Sequence, residues 1–165
     1  MAGAAWLALV PEDRGADLSG FATAVDGDTL ALAGKRVRLL GIDAPESDQT
    51  CHRPSGDWTC GRAASERLAQ AIRRAETICR PEGHDRYGRI LAHCTSAGRD
   101  LSALMVSEGL AVARDEYLSV ELRARVASRG IWGGEFVDPR AWRQGHAMAG
   151  PQQNVLDWIR SLLGS

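Results

Sequence analysis

Apolar residues come in short runs early in the chain and recur at helical spacing later. Residues 18–25 (LSGFATAV) read as a strand that enters a turn at Asp26 and Gly27. Residues 29–32 and 35–42 predict a hairpin folded around Ala33 and Gly34. Residues 41–60 follow as a long polar loop. The period then changes. Between residues 61 and 75, Ala63, Ala64, Leu68, Ala71 and Ile72 fall on one stripe, which predicts a helix. Residues 77–79 and 90–94 read as short strands on either side of the turn PEGHDRYGR. Asp100 is placed to cap a helix that runs through Glu108 and stops at Gly109. Residues 110–113 predict a further strand, and residues 117–129 a helix ended by Gly130.

Short strands first, with helices inserted and following, predict an α+β fold, not an alternating parallel sheet. The expected architecture is a five-stranded, OB-fold-like β-barrel with about three helices, a scaffold that commonly binds oligonucleotides. The expected organisation is a tail over residues 1–17, one domain over residues 18–143, and an extension over residues 144–165. The start, MAGAAWLALV, is apolar but short and has no basic n-region. It reads as the remnant of an export signal or anchor, or as a loosely packed terminus. No apolar stretch approaches the roughly 18–20 residues of a membrane span, so no integral span is expected. In residues 151–165, Val155, Leu156, Trp158, Ile159, Leu162 and Leu163 recur at helical spacing. Such a helix docks on its own domain, on a partner, or on a membrane surface. Only Arg160 would supply basic charge to its polar face, which favours docking in cis.

The net charge of −1 removes the global positive field of many nucleic-acid binders. Any nucleic-acid site must then be a local concentration of arginine. Lys35 is the sole lysine among the 20 basic residues. Arginine suits phosphate forks better than lysine does, and a GC-rich genome produces the same bias. The four cysteines, Cys51, Cys60, Cys79 and Cys94, include no C-x-x-C spacing. Sequence order favours the pairs Cys51–Cys60 and Cys79–Cys94, although four cysteines allow three connectivities. Two disulfides imply an oxidising compartment. Reduced thiols in a cytosolic protein and a Cys/His zinc site are the alternatives.

Three segments carry chemistry: VDGDTL (residues 25–30), VRLLGIDAPES (residues 37–47) and DRYGR (residues 85–89). Each alone has a bland reading, as a hairpin turn, a surface arginine or a solvated acidic loop. Together they hold what phosphodiester hydrolysis requires. Carboxylate oxygens hold hard divalent cations. Arginine forks match phosphate oxygens and stabilise added charge in the transition state. A further ionised carboxylate accepts a proton from attacking water.

In this order the segments closely resemble the thermonuclease, or staphylococcal nuclease, family. The resemblance covers residues 18–143 and includes CGRAA, DL..LMV.EGLA and G.W.GEF..P..WR. Exported bacterial members are also similar in the C...W.CG loop and the second cysteine pair. The resemblance implies that Asp28, Asp43 and the backbone carbonyl of Ala44 ligate Ca²⁺. It implies that Glu46 positions or deprotonates the attacking water, that Arg38 and Arg89 bind the scissile phosphate, and that Asp26 orders the site from behind. Tyr87 and Tyr117 are candidate substrate contacts. The implied activity is calcium-dependent cleavage of DNA and RNA by a periplasmic or secreted monomer, leaving 3′-phosphate ends.

Two positions depart from the family pattern. Ala44 stands where the archetype has threonine, although the metal needs only its carbonyl. The stretch ARDEY is shorter and less aromatic than the archetype's, so stacking of Tyr117 on a base is in doubt. Two other readings compete: a non-catalytic nucleic-acid- or protein-binding module on the same barrel, and an accessory protein of the cell envelope or polysaccharide metabolism. The first would be expected to lack Asp28, Arg38, Glu46 or Arg89, and all are present.

Overall fold

The structure is a computed structural model that describes residues 15–145. The apolar start and the periodic stretch 151–165 lie outside the described residues. The expected first strand is bent into two short ones, β1 (Leu18–Gly20) and β2 (Thr23–Ala24). The hairpin of β3 (Thr29–Leu32) and β4 (Lys35–Leu39) follows, then the two-residue β5 (Ile42–Asp43). The stretch expected as loop contains a second hairpin, β6 (Cys51–Arg53) and β7 (Gly56–Trp58). Its residues show no apolar alternation, so periodicity could not reveal it. Helix α1 (Cys60–Ile72) leads to β8 (Thr77–His84) and β9 (Ile90–Ser96). Strand β8 runs five residues past its expected end. Pro81, read as a turn residue, is accommodated where the register shifts between Pro81 and Gly83.

The chain continues through β10 (Arg99–Asp100), α2 (Leu101–Ser107), β11 (Val112–Ala113) and α3 (Leu118–Val126). A 3₁₀ turn (Gly130–Gly133) and α4 (Pro139–Arg143) complete the described residues. Asp100 caps α2 as expected, accepting a hydrogen bond from the Ala103 amide at 2.9 Å. Helix α4 brings the number of α-helices among the described residues to four.

The main sheet has the order β1-β8-β9-β4-β3-β2, with β10 added beside β9. All pairs are antiparallel except β4 with β9. The hydrogen-bonded path is open, not a closed barrel, which corrects that part of the expectation. Its end strands β1 and β2 are nevertheless separated only by Phe21 and Ala22. One chain segment must therefore reach both edges, and the sheet curls to allow it. The result is an OB-fold-like α+β arrangement.

Alternation along β3 and β4 sends Leu30, Leu32, Val37 and Leu39 inward, where they are almost fully buried. They meet Leu68 and Ile72 from α1 and Leu101, Met105 and Val106 from α2. Burying such a side chain contributes about 1.5–3 kcal/mol. Cys79 and Cys94 face each other across β8 and β9 and are joined. A second, smaller core gathers Cys51, Cys60, Ile131 and Phe136, with Trp58 and Trp132 against it. The Cys51–Cys60 disulfide lies inside it. Paired backbone bonds between His52 and Glu135 tie the second hairpin to the segment that leads into α4.

Candidate active site

Since Val37 and Leu39 point into the core, Arg38 must point to the opposite face of β4. There its guanidinium spans two acids. Nη1 donates to Asp28 Oδ1 and Nη2 to Asp43 Oδ1, each at 2.8 Å. Asp28 immediately precedes Thr29, the cross-strand partner of Arg38. Its carboxylate also accepts bonds from Thr29 Oγ1 at 3.0 Å and from the Ala44 amide at 2.9 Å. Behind it, Asp26 Oδ1 accepts the Asp28 amide at 3.0 Å and holds the turn. Burial pushes the Asp28 carboxyl up to about 7, against the lowering effect of Arg38.

Arg38 and Asp43 are an even and an odd position, which a regular strand would send to opposite faces. The strand does not stay regular. It ends at Leu39, and Gly41 adopts φ +76°. A Cβ at Gly41 would lie 2.8 Å from Tyr117 Cε2, so both the backbone angle and the packing require glycine. Beyond the bend, β5 pairs with β11, setting Asp43 opposite Val112.

Asp43 is covered by three arginines. Besides Arg38, Arg114 donates to Oδ2 at 3.1 Å. Arg143 donates to Oδ1 at 2.9 Å and to Oδ2 at 2.8 Å. Burial acts to raise the Asp43 pKa, but the hydrogen bonds and charges of these arginines outweigh it and hold it below the usual range. Arg114 also reaches Asp138, which caps α4 by accepting the Arg140 amide at 2.9 Å. Helix α4 is thereby fastened to the site. Arg114, Asp138 and Arg143 had no assigned role in the sequence reading. Their links to Asp43 or to one another span 24 to 100 residues, beyond the reach of any local pattern. The one available signal for Arg143 was the WR that ends the matching family motif.

Glu46 lies on the loop after Asp43, with Oε1 2.6 Å from Arg143 Nη1. Gln49, fully buried, pins this loop. Its Oε1 accepts the Glu46 amide at 3.2 Å, and its Nε2 donates to the Val137 carbonyl at 2.7 Å. The loop lies directly on the start of α1. A Cβ on Gly61 would sit 1.5 Å from the Glu46 carbonyl oxygen, which explains why a glycine follows Cys60.

Arg89 is aimed by its own turn. Asp85 Oδ2 takes its Nε at 2.7 Å, and Asp85 Oδ1 takes the amides of Tyr87 and Arg89. Tyr87 stands 69% exposed on the same turn. Tyr117 is placed otherwise. It is buried, packs beside Gly41, and donates its hydroxyl to Asp100 at 2.9 Å. It does not line the cleft, so the expected substrate contact is not where the structure puts it.

A cleft of about 1340 Å³ brings together Asp26, Asp28, Arg38, Asp43, Ala44, Glu46, Tyr87 and Arg89. Arg36, Arg86, Arg114, Arg140 and Arg143 line it too, a local concentration of arginine set among as many acids. Among the described residues, no histidine or cysteine lines it. Its donors are hard oxygens, the kind that suits calcium or magnesium and not zinc or copper. Asp28 and Asp43 share one guanidinium, which sets both carboxylates beside Arg38. Among the described residues, no three His, Cys, Asp or Glu side chains form a ready-made metal cage. A cation would therefore need backbone oxygen or water to complete its shell, as calcium's six to eight ligands commonly include.

Comparison with known proteins gives the family. Residues 36–134 match the family model described as Staphylococcal nuclease homologue. The chain is 37% identical over 134 residues to the Succinoglycan biosynthesis protein ExoI of Rhizobium meliloti, covering 75% of this chain and 70% of that one. It is 32% identical over 142 residues to Protein ParB of Escherichia coli, covering 73% and 75%. It is 31% identical over 164 residues to a Micrococcal nuclease of Shigella flexneri, covering 86% and 89%. The family match spans more than half of the chain and includes Arg38, Asp43, Glu46 and Arg89. The chain belongs to the staphylococcal nuclease homologue family, a family of nuclease-type hydrolases.

Proposed function

We propose that this protein is a calcium-dependent nuclease that hydrolyses phosphodiester bonds of DNA and RNA as a monomer and leaves 3′-phosphate ends. The observation that carries the reading is the Arg38 fork across Asp28 and Asp43 in a cleft that also presents Glu46 and Arg89. Asp28, Asp43 and the Ala44 carbonyl would hold the calcium ion, which when bound supplies positive charge to a phosphate oxygen and lowers the cost of its developing charge. Glu46 accepts the proton of the attacking water. Arg38 and Arg89 grip the scissile phosphate. Each guanidinium has five N–H groups, and those not held by Asp28, Asp43 or Asp85 match oxygens that gain charge as phosphorus becomes five-coordinate. Asp85 keeps Arg89 aimed, and Asp26 keeps the Asp28 turn in place. The catalytic unit is residues 18–143. Its two disulfides fit a periplasmic or secreted enzyme.

Cleavage of plain DNA and RNA by the purified protein, with calcium and with chelator, tests this reading. Cleavage that needs calcium, with ends that block polymerase extension until a 3′-phosphatase is added, is expected. Zinc-dependent, calcium-indifferent cleavage would overturn the metal assignment. A second reading has one observation in its favour, the name of the succinoglycan relative. If that role extends to this chain without nuclease chemistry, neither nucleic acid is cut under any metal condition.

A further inference from the structure

Each carboxylate oxygen offers two lone-pair sites, four for the group. On Asp43 all four are taken. Oδ1 accepts from Arg38 and Arg143, and Oδ2 from Arg114 and Arg143. A cation cannot ligate Asp43 until at least one arginine lets go.

The three arginines are not equal candidates. Arg38 gives one bond to Asp43 and is tied by its other arm to Asp28. Arg114 gives one bond and is tied to Asp138. Arg143 alone forks across both Asp43 oxygens, and its Nη1 also meets Glu46 Oε1. Its departure opens one site on each Asp43 oxygen and releases Glu46 in the same motion. Arg143 ends the five-residue helix α4, and its side chain is 36% exposed, as is that of Arg114, against 16% for Arg38.

We propose that Arg143 is a resident counter-ion of Asp43 and Glu46 that competes with the divalent cation for them. With no divalent ion bound, it neutralises two acids that would otherwise repel. When the ion binds, it yields both, so that Asp43 becomes a ligand and Glu46 becomes available to water. The inference rests on the calcium reading above and adds a residue whose role is exchange, not catalysis.

Calcium titration by calorimetry on the full chain, in wild type, Arg143→Gln and Arg140→Gln, tests it. Arg140 lies on the same helix and lines the same cleft without bonding Asp43, so it controls for net charge. Arg143→Gln is expected to bind calcium on the order of 5-fold tighter or more, and Arg140→Gln to change little. In chelator Arg143→Gln should melt at a lower temperature than wild type, with the gap closing in saturating calcium. If Arg143→Gln does not fold, Arg143→Lys serves, since an ammonium is a compact point charge without the planar fork, and it should tighten binding by less. Equal or weaker calcium binding by the Arg143 variant overturns the inference while leaving the calcium reading intact. So does equal tightening by Arg140→Gln. If wild type binds no calcium, both fall.

Discussion

Arg38 and Asp43, five residues apart with opposite strand parity, meet at 2.8 Å because the chain turns left-handed at Gly41 between them. The contact is made by a backbone angle as much as by two charges. It is also sealed, since Tyr117 packs against the bend and Arg114 N–H donates to the Gly41 carbonyl at 2.7 Å.

Gly41→Ala should therefore cost stability and site geometry together. The positive φ and the crowding against Tyr117 predict a loss of about 1–3 kcal/mol, read by urea unfolding. Activity per folded molecule should fall as well, since Asp43 can no longer meet Arg38. A variant with wild-type stability and turnover would show that the bend is not needed.

The buried Asp28 carboxyl makes a pH prediction. Native Asp28 titrates at about 7 against an ordinary 3.8, so between those values the folded state holds more protons than the unfolded one. This group's contribution to stability then falls as pH rises through that window. Asp43, whose native pKa is depressed, acts the other way, and its contribution is lost only as pH drops through the lowered value. Asp28→Asn should gain stability relative to wild type as pH rises across the window in chelator. Unfolding free energies for the pair that stay parallel from acid to mildly alkaline pH would contradict this.

The two tyrosines should separate cleanly. Tyr87 is exposed at the cleft, held by Arg86 through its hydroxyl and ring face, so Tyr87→Ala should weaken substrate binding by roughly 1–3 kcal/mol, seen mainly in KM. Tyr117→Phe removes the hydroxyl that donates to Asp100, a loss of about 0.5–1.5 kcal/mol in stability with KM unchanged. The reverse pattern in steady-state kinetics and thermal melts would reverse the assignment.

The sequence made the site's contents legible but not its assembly. Asp28, Arg38, Asp43, Glu46 and Arg89 stood out because each sits in a short segment of distinctive composition, and the fold gathers all of them in one cleft. Helix α1 was visible because Ala64, Leu68, Ala71 and Ile72 keep a helical period against the core. The β6–β7 hairpin was invisible because packing in its small core and the Cys51–Cys60 bond hold it, and neither leaves an alternating pattern. The sheet's open hydrogen-bonded path and the bend after Gly20 depend on how distant strands meet. Gln49, Arg114 and Arg143 act on residues brought close only by the finished fold. Tyr117 misled because aromatic character alone does not say which way a side chain turns.

Turnover of Arg38→Lys and Arg89→Lys at saturating substrate tests the central claim most directly. Both variants keep the charge but lose the fork that matches two phosphate oxygens. If the arginines stabilise the transition state, each kcat should fall by about 10²–10³ in protein that folds normally. If they only steer nucleic acid by charge, kcat should stay within about threefold of wild type while KM and salt dependence shift, and that result would contradict the mechanism.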